Sequence, residues 1–170
     1  MNRICAILIA TLLSSPAFAA DPAAITVPAG NTLALTLLGA GDLIYECRAK
    51  AGTPDAHEWA FAGPVAILYD KSSKADAGKY YAGPTWEAND GSKVGGKQLG
   101  VSPSANAASI PLQLVQAGAS TGSGAMSGIT FIQRINTKGG VAPSDLCEAA
   151  NAGSRKMVKY EADYLFYKAS

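Results

Sequence analysis

An alternation of apolar and polar positions runs through much of the chain and predicts β-strands. In Asp42–Arg48 the residues Leu43, Tyr45 and Cys47 share one face, as successive side chains of a strand point to opposite sides. The last apolar stretch, Lys156–Lys168, has the same period and predicts a long, half-buried strand. One of its faces carries Tyr160, Ala162, Tyr164 and Phe166.

Other apolar runs are short and end at glycine or next to proline, which favours strands over helices. In the run from 129 to 137, we expect Ile129, Phe131 and Ile135 to share a face. A single short helix is predicted at Leu146–Ala150, after the capping sequence that ends at Asp145. The additional strands are predicted at Thr32–Leu38, Ile110–Val115 and Ile129–Thr137.

Two neighbouring segments form an internal repeat, here called the echo, with a spacing of twenty residues. The sequence Phe-Ala-Gly-Pro at 61–64 is answered by Tyr-Ala-Gly-Pro at 81–84, and Asp70 and Ser72 are answered by Asp90 and Ser92. We interpret each copy as an aromatic strand end, a Gly-Pro corner, a short strand and an Asp-led turn. Two copies are too few for a solenoid, so the echo predicts a meander or two hairpins in one sheet.

These segments add up to a single all-β domain over residues 20–170. Eighteen glycines and eight of the nine prolines separate about ten short strands, and no strands alternate with long helices. The prediction is an antiparallel β-sandwich or a partly closed β-barrel with at most one short helix. The order of the strands does not follow from the sequence.

The first nineteen residues have the composition of a secretory signal peptide. Arg3 precedes an apolar run too short to span a bilayer, and Ala17-Phe18-Ala19 provides a small-x-small cleavage site. We therefore expect residues 1–19 to be removed and the domain to be periplasmic or extracellular. No later segment is long and apolar enough to predict a membrane span.

Cysteine count and charge narrow the possible partners. In an oxidising compartment, Cys47 and Cys147 predict one structural disulfide, with two unpaired buried thiols as the alternative. The chain has 14 basic and 13 acidic residues, so loss of Arg3 with the leader makes the mature protein formally neutral. A neutral chain without a basic cluster gives no indication of nucleic-acid binding.

Three catalytic or cofactor motifs are incomplete. Gly91–Lys97 resembles a phosphate-binding loop, but Gln98 stands where a Ser or Thr is needed. Gly118–Gly122 has the spacing of a nucleophile elbow, yet the only histidine, His57, precedes the serine. One histidine cannot form a multi-histidine metal site. The sequence therefore predicts no cofactor, no metal and no assignable catalytic residue.

The best candidate for a binding site is an aromatic and acidic set around the second copy of the echo. Aromatic faces flanked by acids and amides suit sugars and other small polar ligands. The alternative is that both tryptophans belong to the core and that Asp90 forms a turn. The candidate residues are Trp59, Tyr80, Tyr81, Trp86, Glu87, Asn89 and Asp90.

Three functions are compatible with this set. The leading hypothesis is a non-enzymatic binding module for a small polar or carbohydrate ligand, or for an envelope partner. The first alternative is a hydrolase that uses Glu87 and Asp90 with His57, since glycosidases need two facing carboxylates. The second is a purely structural secreted domain, which predicts no pocket beside Trp86.

Several motifs also carry a resemblance to a known family. The sequences WAFAGPVAILYD at 59–70, AGPTWEANDGS at 82–92, FIQRINTKGGVAP at 131–143 and YEADYLFY at 160–167 occur in this order. Together they are similar to the secreted bacterial and fungal proteins grouped as domain of unknown function family 3455. The resemblance spans nearly all of the mature chain and implies a family without implying an activity.

Overall fold

A computed structural model describes residues 22–170, so the predicted signal peptide lies outside the described residues. This part of the chain forms eight strands and two short 3₁₀ turns, Pro22–Ile25 and Ala149–Asn151. None of its helices is long and apolar enough to cross a membrane. The strands are β1 (Asn31–Lys50), β2 (Thr53–Asp70), β3 (Asp76–Tyr81), β4 (Thr85–Ala88), β5 (Lys93–Ser102), β6 (Leu112–Ala117), β7 (Ile129–Gly139) and β8 (Arg155–Ala169).

The eight strands form one antiparallel sheet in which each strand pairs with the next along the chain. The sheet closes because β8 also pairs with β1, from Asn31 opposite Ala169 to Glu46 opposite Arg155. The all-β prediction is thus confirmed, and the sheet closes into a complete ring where the prediction was a sandwich or a partly closed barrel. Closure matters because it gives every strand a partner on both sides and removes free sheet edges.

The connections between strands lie at alternate ends of the barrel because neighbouring strands run in opposite directions. One end carries the β1–β2, β3–β4, β5–β6 and β7–β8 connections, and we call it the disulfide end. There Cys47 of β1 is bonded to Cys147 of the β7–β8 connection, with their Cα atoms 5.6 Å apart, as predicted. The other end, the terminal end, carries the start of β1 and the end of β8.

The interior is filled mainly by aromatic and aliphatic side chains. The predicted inner face of β8, Tyr160 to Phe166 at every second position, is buried, with Tyr164 and Phe166 completely inaccessible to solvent. Leu43, Tyr45 and Cys47 of β1 are also buried, which confirms the strand period predicted there. These side chains join one continuous core that includes Trp86.

The two predicted strands Thr32–Leu38 and Asp42–Arg48 are parts of the single strand β1. The glycines between them, which the sequence pattern interprets as a break, instead provide room inside the barrel. A Cβ atom on Gly39 would lie 2.5 Å from Cε2 of Tyr164, closer than real Cβ contacts. Gly39 therefore lets the strand continue beneath a large buried ring.

The repeat unit is only partly what the echo predicts. Gly83 and Pro84 form the turn between β3 and β4, but Gly63 and Pro64 lie inside β2 and remain paired with β1. Proline is tolerated at position 64 because the β2–β3 ladder begins only at the next residue, so no partner strand needs its missing N–H. The predicted meander of consecutive antiparallel strands is confirmed.

Two local predictions are wrong. On β7 the buried residues are Ile129, Ile132 and Thr137, whereas Phe131 is only partly buried, because the β7–β8 register shifts between positions 129 and 131. The predicted helix from 146 to 150 is a single 3₁₀ turn, Ala149–Asn151. The adjacent disulfide and the side-chain cap of Asn151 on the Glu148 N–H hold this segment as a turn.

Candidate functional site

A cavity of about 270 Å³ lies at the disulfide end of the barrel. It is bordered by the β3–β4 turn, by the middle of β2, and by side chains from β4 to β7. Most of its wall is apolar or aromatic, and three polar side chains complete it. The polar residues are Gln98 of β5, Gln113 of β6 and Arg134 of β7.

The aromatic wall of the cavity is formed by Tyr80 and Trp86. Their rings are stacked with centroids 4.5 Å apart and planes at 14°, because they stand opposite each other on β3 and β4. Tyr164 and Phe166 pack edge-on against Trp86 from the core side, at 5.7 and 6.3 Å. Trp86 is only 1% exposed, so it belongs to the core and to the cavity wall at once.

The indole N–H of Trp86 is a polar group of this wall that stays unsatisfied. It is buried and has no hydrogen-bond partner among residues 22–170. Leaving such a donor unpaired costs about 1–3 kcal/mol, so the aromatic packing around it must offset that cost.

Arg134 brings a positive charge to the cavity. Its Nε and Nη2 atoms donate to the carbonyl oxygen of Pro111 at 3.2 and 2.9 Å, which fixes the guanidinium plane. Within the described part of the chain, no carboxylate lies close enough to form an ion pair with it. Arg134 is thus a cation held in place by a neutral partner.

A set of tyrosines surrounds this cation on the inner side of the barrel. Burial raises the pKa of the Tyr80 hydroxyl, and the nearby positive charge of Arg134 partly opposes that increase. The same two opposing effects act on the pKa of Tyr45, Tyr160 and Tyr164. All four hydroxyls therefore stay neutral at physiological pH and offer no negative charge to Arg134.

The two glutamines form a pair across β5 and β6. Nε2 of Gln113 donates to Oε1 of Gln98 at 2.6 Å. This bond leaves the amide nitrogen of Gln98 and the amide oxygen of Gln113 without a partner in the structure of residues 22–170. A ligand in the cavity would meet one donor and one acceptor here, which is the combination that recognises hydroxyl groups.

Two other predicted site residues, Tyr81 and Glu87, lie on the outer surface. They occupy the strand positions next to Tyr80 and Trp86, so their side chains point away from the interior. The Tyr81 hydroxyl donates to Glu87 at 2.8 Å, and Lys79 and Lys93 lie 3.3 and 3.1 Å from the same carboxylate. The hydrogen bond from Tyr81, with the two lysines, lowers the pKa of Glu87.

Asn89 and Asp90 form the β4–β5 turn at the terminal end. Asp90 accepts hydrogen bonds from the hydroxyl and the N–H of Ser92 at 2.5 and 2.9 Å, and from the N–H of Ala125 at 2.7 Å. These bonds lower the pKa of Asp90 and tie the turn to the β6–β7 connection. Asn89 donates to the carbonyl oxygen of Asp76. Both side chains are therefore engaged in shaping turns.

Trp59 and His57 belong to the other end of the barrel. The indole N–H of Trp59 donates to the carbonyl oxygen of Asp145 at 2.9 Å, beside the disulfide. His57 pairs with Ala49 near the β1–β2 turn, at the disulfide end, whereas Asp90 is in a turn of the terminal end. Of the seven predicted residues, the structure thus brings only Tyr80 and Trp86 together at the cavity.

Gln98, Gln113 and Arg134 were not predicted as site residues. Arg134 has a sequence signal, because it follows the buried Ile132 by two positions on β7 and so takes the inward face. Using that signal requires the register of β7, which shifts near its start. The glutamines give no signal until β5 and β6 are placed side by side.

Comparison with known proteins supplies a family. A model described as "Protein of unknown function (DUF3455)" matches residues 28–168, which is most of the chain. The chain belongs to the DUF3455 family. No curated protein and no solved structure matches it. In the described part of this DUF3455 protein, no group of three or more acidic, histidine or cysteine side chains could hold a metal ion.

Proposed function

We propose that this DUF3455 protein is an exported binding domain that holds a small polar ligand in the cavity at the disulfide end. The observation that carries the proposal is the cavity itself, which is lined by an aromatic pair and by three polar side chains. Ligand sites in proteins are typically concave and mostly apolar, with a few polar groups that fix orientation. A volume of about 270 Å³ suits a small ligand such as a single sugar ring.

Binding is favoured over hydrolysis because the candidate catalytic groups are dispersed. Glu87 is held on the outer surface between two lysines, and Asp90 is held in a turn by Ser92 and Ala125. His57 lies at the opposite end of the barrel from that turn. A general acid and base must both approach the reacting atoms, and this arrangement offers no common pocket for them.

Export is supported by the signal-like residues 1–19 and by the disulfide. Disulfides form and persist mainly in oxidising compartments, which is consistent with a periplasmic or extracellular domain. Expression of the full chain followed by cell fractionation tests this part. We expect a mature protein that begins after Ala19 in the periplasmic or secreted fraction, and retention of the uncleaved chain in the cytoplasm would contradict it.

The binding proposal is tested with Trp86 as an internal reporter. The variant Trp59→Phe leaves Trp86 as the single tryptophan, and we expect its fluorescence to change saturably when a panel of neutral and acidic sugars is added. The matched variant Trp86→Phe keeps only Trp59, which hydrogen-bonds outside the cavity, and should show no saturable change.

A second readout locates the ligand. In ¹H–¹⁵N spectra, the side-chain amides of Gln98 and Gln113 should shift on binding, whereas the amide of Asn89 at the other end should not. Shifts confined to the Asn89 turn, or no shift with any compound of the panel, would contradict binding in this cavity.

A further inference from the structure

The charge of the cavity narrows the chemistry of its ligand. Within residues 22–170, Arg134 is the only charged side chain that lines the cavity, and it has no acidic partner. We infer that the ligand is a hydroxylated ring that carries a carboxylate, as in a sugar acid, and that this carboxylate binds Arg134. The inference rests on the proposed function and specifies its ligand class.

The guanidinium of Arg134 is preorganised for this role. Two of its five N–H donors are used on the Pro111 carbonyl oxygen, which holds the side chain without neutralising it. A partly buried cation without a counter-ion is unfavourable, and an anionic ligand supplies the missing charge. Arginine also matches the planar, two-oxygen geometry of a carboxylate better than lysine does.

The remainder of the cavity fits a ring with hydroxyl groups. Tyr80 and Trp86 stack on each other and are 6% and 1% exposed, so they give a sugar ring apolar contact at the cavity wall and no open ring face. The Gln98–Gln113 pair offers one free donor and one free acceptor, which a hydroxyl group can satisfy simultaneously. The charge of Arg134 and the hydroxyl-binding amides of Gln98 and Gln113 together distinguish a sugar acid from a neutral sugar.

Isothermal titration of the mature, disulfide-bonded protein tests the inference with two matched pairs of probes. The pairs are galacturonate with galactose, and glucuronate with glucose, and inorganic phosphate is included as an anion without a ring. We expect at least one sugar acid to bind about 10- to 100-fold more tightly than its neutral counterpart, as a charge-assisted hydrogen bond requires. Added salt should weaken that binding.

Variants of the cation assign the effect to Arg134. Arg134→Met should remove the preference for the acid, and Arg134→Lys, which keeps the charge but not the paired donors, should retain part of it. Arg155→Met is the control, because Arg155 is exposed and pairs with Glu46 outside the cavity. If Arg134→Met does not fold by circular dichroism, Arg134→Lys and the acid–neutral comparison in the unaltered protein decide.

The possible failures are distinguishable. A folded Arg134→Met that binds the acid as tightly as the unaltered protein would overturn the inference, as would phosphate binding more tightly than either acid. Equal binding of the acid and the neutral sugar, with shifts at Gln98 and Gln113, would also overturn it while leaving the proposed function intact. No binding by any probe up to about 10 mM would overturn the inference, because such weak affinity has no functional use.

Discussion

At the scale of single residues, packing inside this barrel depends on positions without a side chain as well as on large side chains. Tyr164 is completely buried and contacts Tyr80 and Trp86, the two residues of the cavity wall. It fits only because Gly39 on the neighbouring strand carries no side chain. The shape of the cavity wall therefore depends on a glycine that does not line the cavity.

Gly39→Ala should destabilise the protein because it forces a methyl group against the Tyr164 ring. We expect a loss of about 1–3 kcal/mol in the free energy of unfolding, the usual cost of overpacking a core. Gly118→Ala is the control, because its new Cβ would make an ordinary 3.7 Å contact with the Gly95 carbonyl oxygen. Urea denaturation measures both variants, and equal stability of the two would contradict the steric explanation.

Glu46 provides a prediction about pH. Hydrogen bonds from Arg48 and Arg155 lower the pKa of Glu46 from its ordinary 4.5 to about 2. Because the pKa of Glu46 is lower in the folded than in the unfolded state, its ionised form stabilises the folded protein at any pH above the unfolded-state pKa. This stabilisation is lost as the pH falls through the folded-state pKa. The stability difference between the unaltered protein and Glu46→Gln should thus be constant above about pH 4.5 and shrink between pH 4.5 and 2.

The measurement is urea denaturation at a series of pH values. Glu58→Gln is a suitable comparison, because Glu58 is exposed and has no ion pair in the described structure. A difference between unaltered and Glu46→Gln protein that stays the same down to pH 2 would show that the two arginines do not stabilise the ionised carboxylate.

At the scale of the elements, strand period predicted the inner faces of β1 and β8 but not that of β7, and strand ends were poorly predicted. The inner face of β8 could be predicted because its residues alternate without interruption from Tyr160 to Phe166. Gly39 and Pro64 look like breaks in the sequence, but the partner strands accept them. Whether a glycine ends a strand or makes room for a ring depends on what packs against it, which a single sequence does not state.

The candidate site, too, could be predicted only in part, because the sequence does not state which residues pack against each other. Tyr80 and Trp86 could be selected from the sequence because aromatic residues cluster there, and the structure places them on one cavity wall. Glu87 alternates to the outer surface, a consequence of the strand period that the sequence already contained. Arg134 comes from β7, and the ladders from β4 through β5 and β6 to β7 bring it to the same cavity as Tyr80 and Trp86.

The disulfide links two elements of the disulfide end, and its loss should loosen the β7–β8 connection. We expect the double variant Cys47→Ala, Cys147→Ala to lose about 2–4 kcal/mol of unfolding free energy, as typical for structural disulfides. Trp59 should report the local change, because its indole N–H bonds to Asp145 two residues before Cys147. Reduction of the unaltered protein is the matched control and should give a similar loss.

If the double cysteine variant and the reduced unaltered protein unfold at the same denaturant concentration as the oxidised protein, the disulfide does not contribute to stability. If stability falls but Trp59 fluorescence in the folded state stays unchanged, the connection is held by its other contacts. These include the hydrogen bond from the Gly153 N–H to the Cys47 carbonyl oxygen at 2.8 Å.

At the scale of the whole molecule, closure joins the first and the last strand. The start of β1 pairs with the end of β8, and the N–H of Ser170 donates to the carbonyl oxygen of Gly30 at 3.0 Å. The fold therefore depends on the ring of eight ladders more than on where the chain begins. Chain ends that lie close together favour circular permutation.

A circular permutant tests this dependence on closure. In the permutant, Ser170 is joined to Pro22 by a flexible linker of about ten residues. New ends are opened between Ser73 and Lys74, in the exposed β2–β3 turn. All eight ladders are retained and only the turn held by Asp70 is cut, so we expect one cooperative unfolding transition with a loss of about 1–2 kcal/mol.

The control is deletion of residues 155–170, which removes β8 and leaves β1 and β7 without their shared partner. That chain should show no cooperative transition, because it also loses the buried Tyr164 and Phe166. Since the permutant keeps the same residues as the parent, a permutant that fails to fold would mean that chain order, and not closure of the ring, determines stability. The cavity should survive in the permutant, because the new ends lie at the terminal end, away from Arg134.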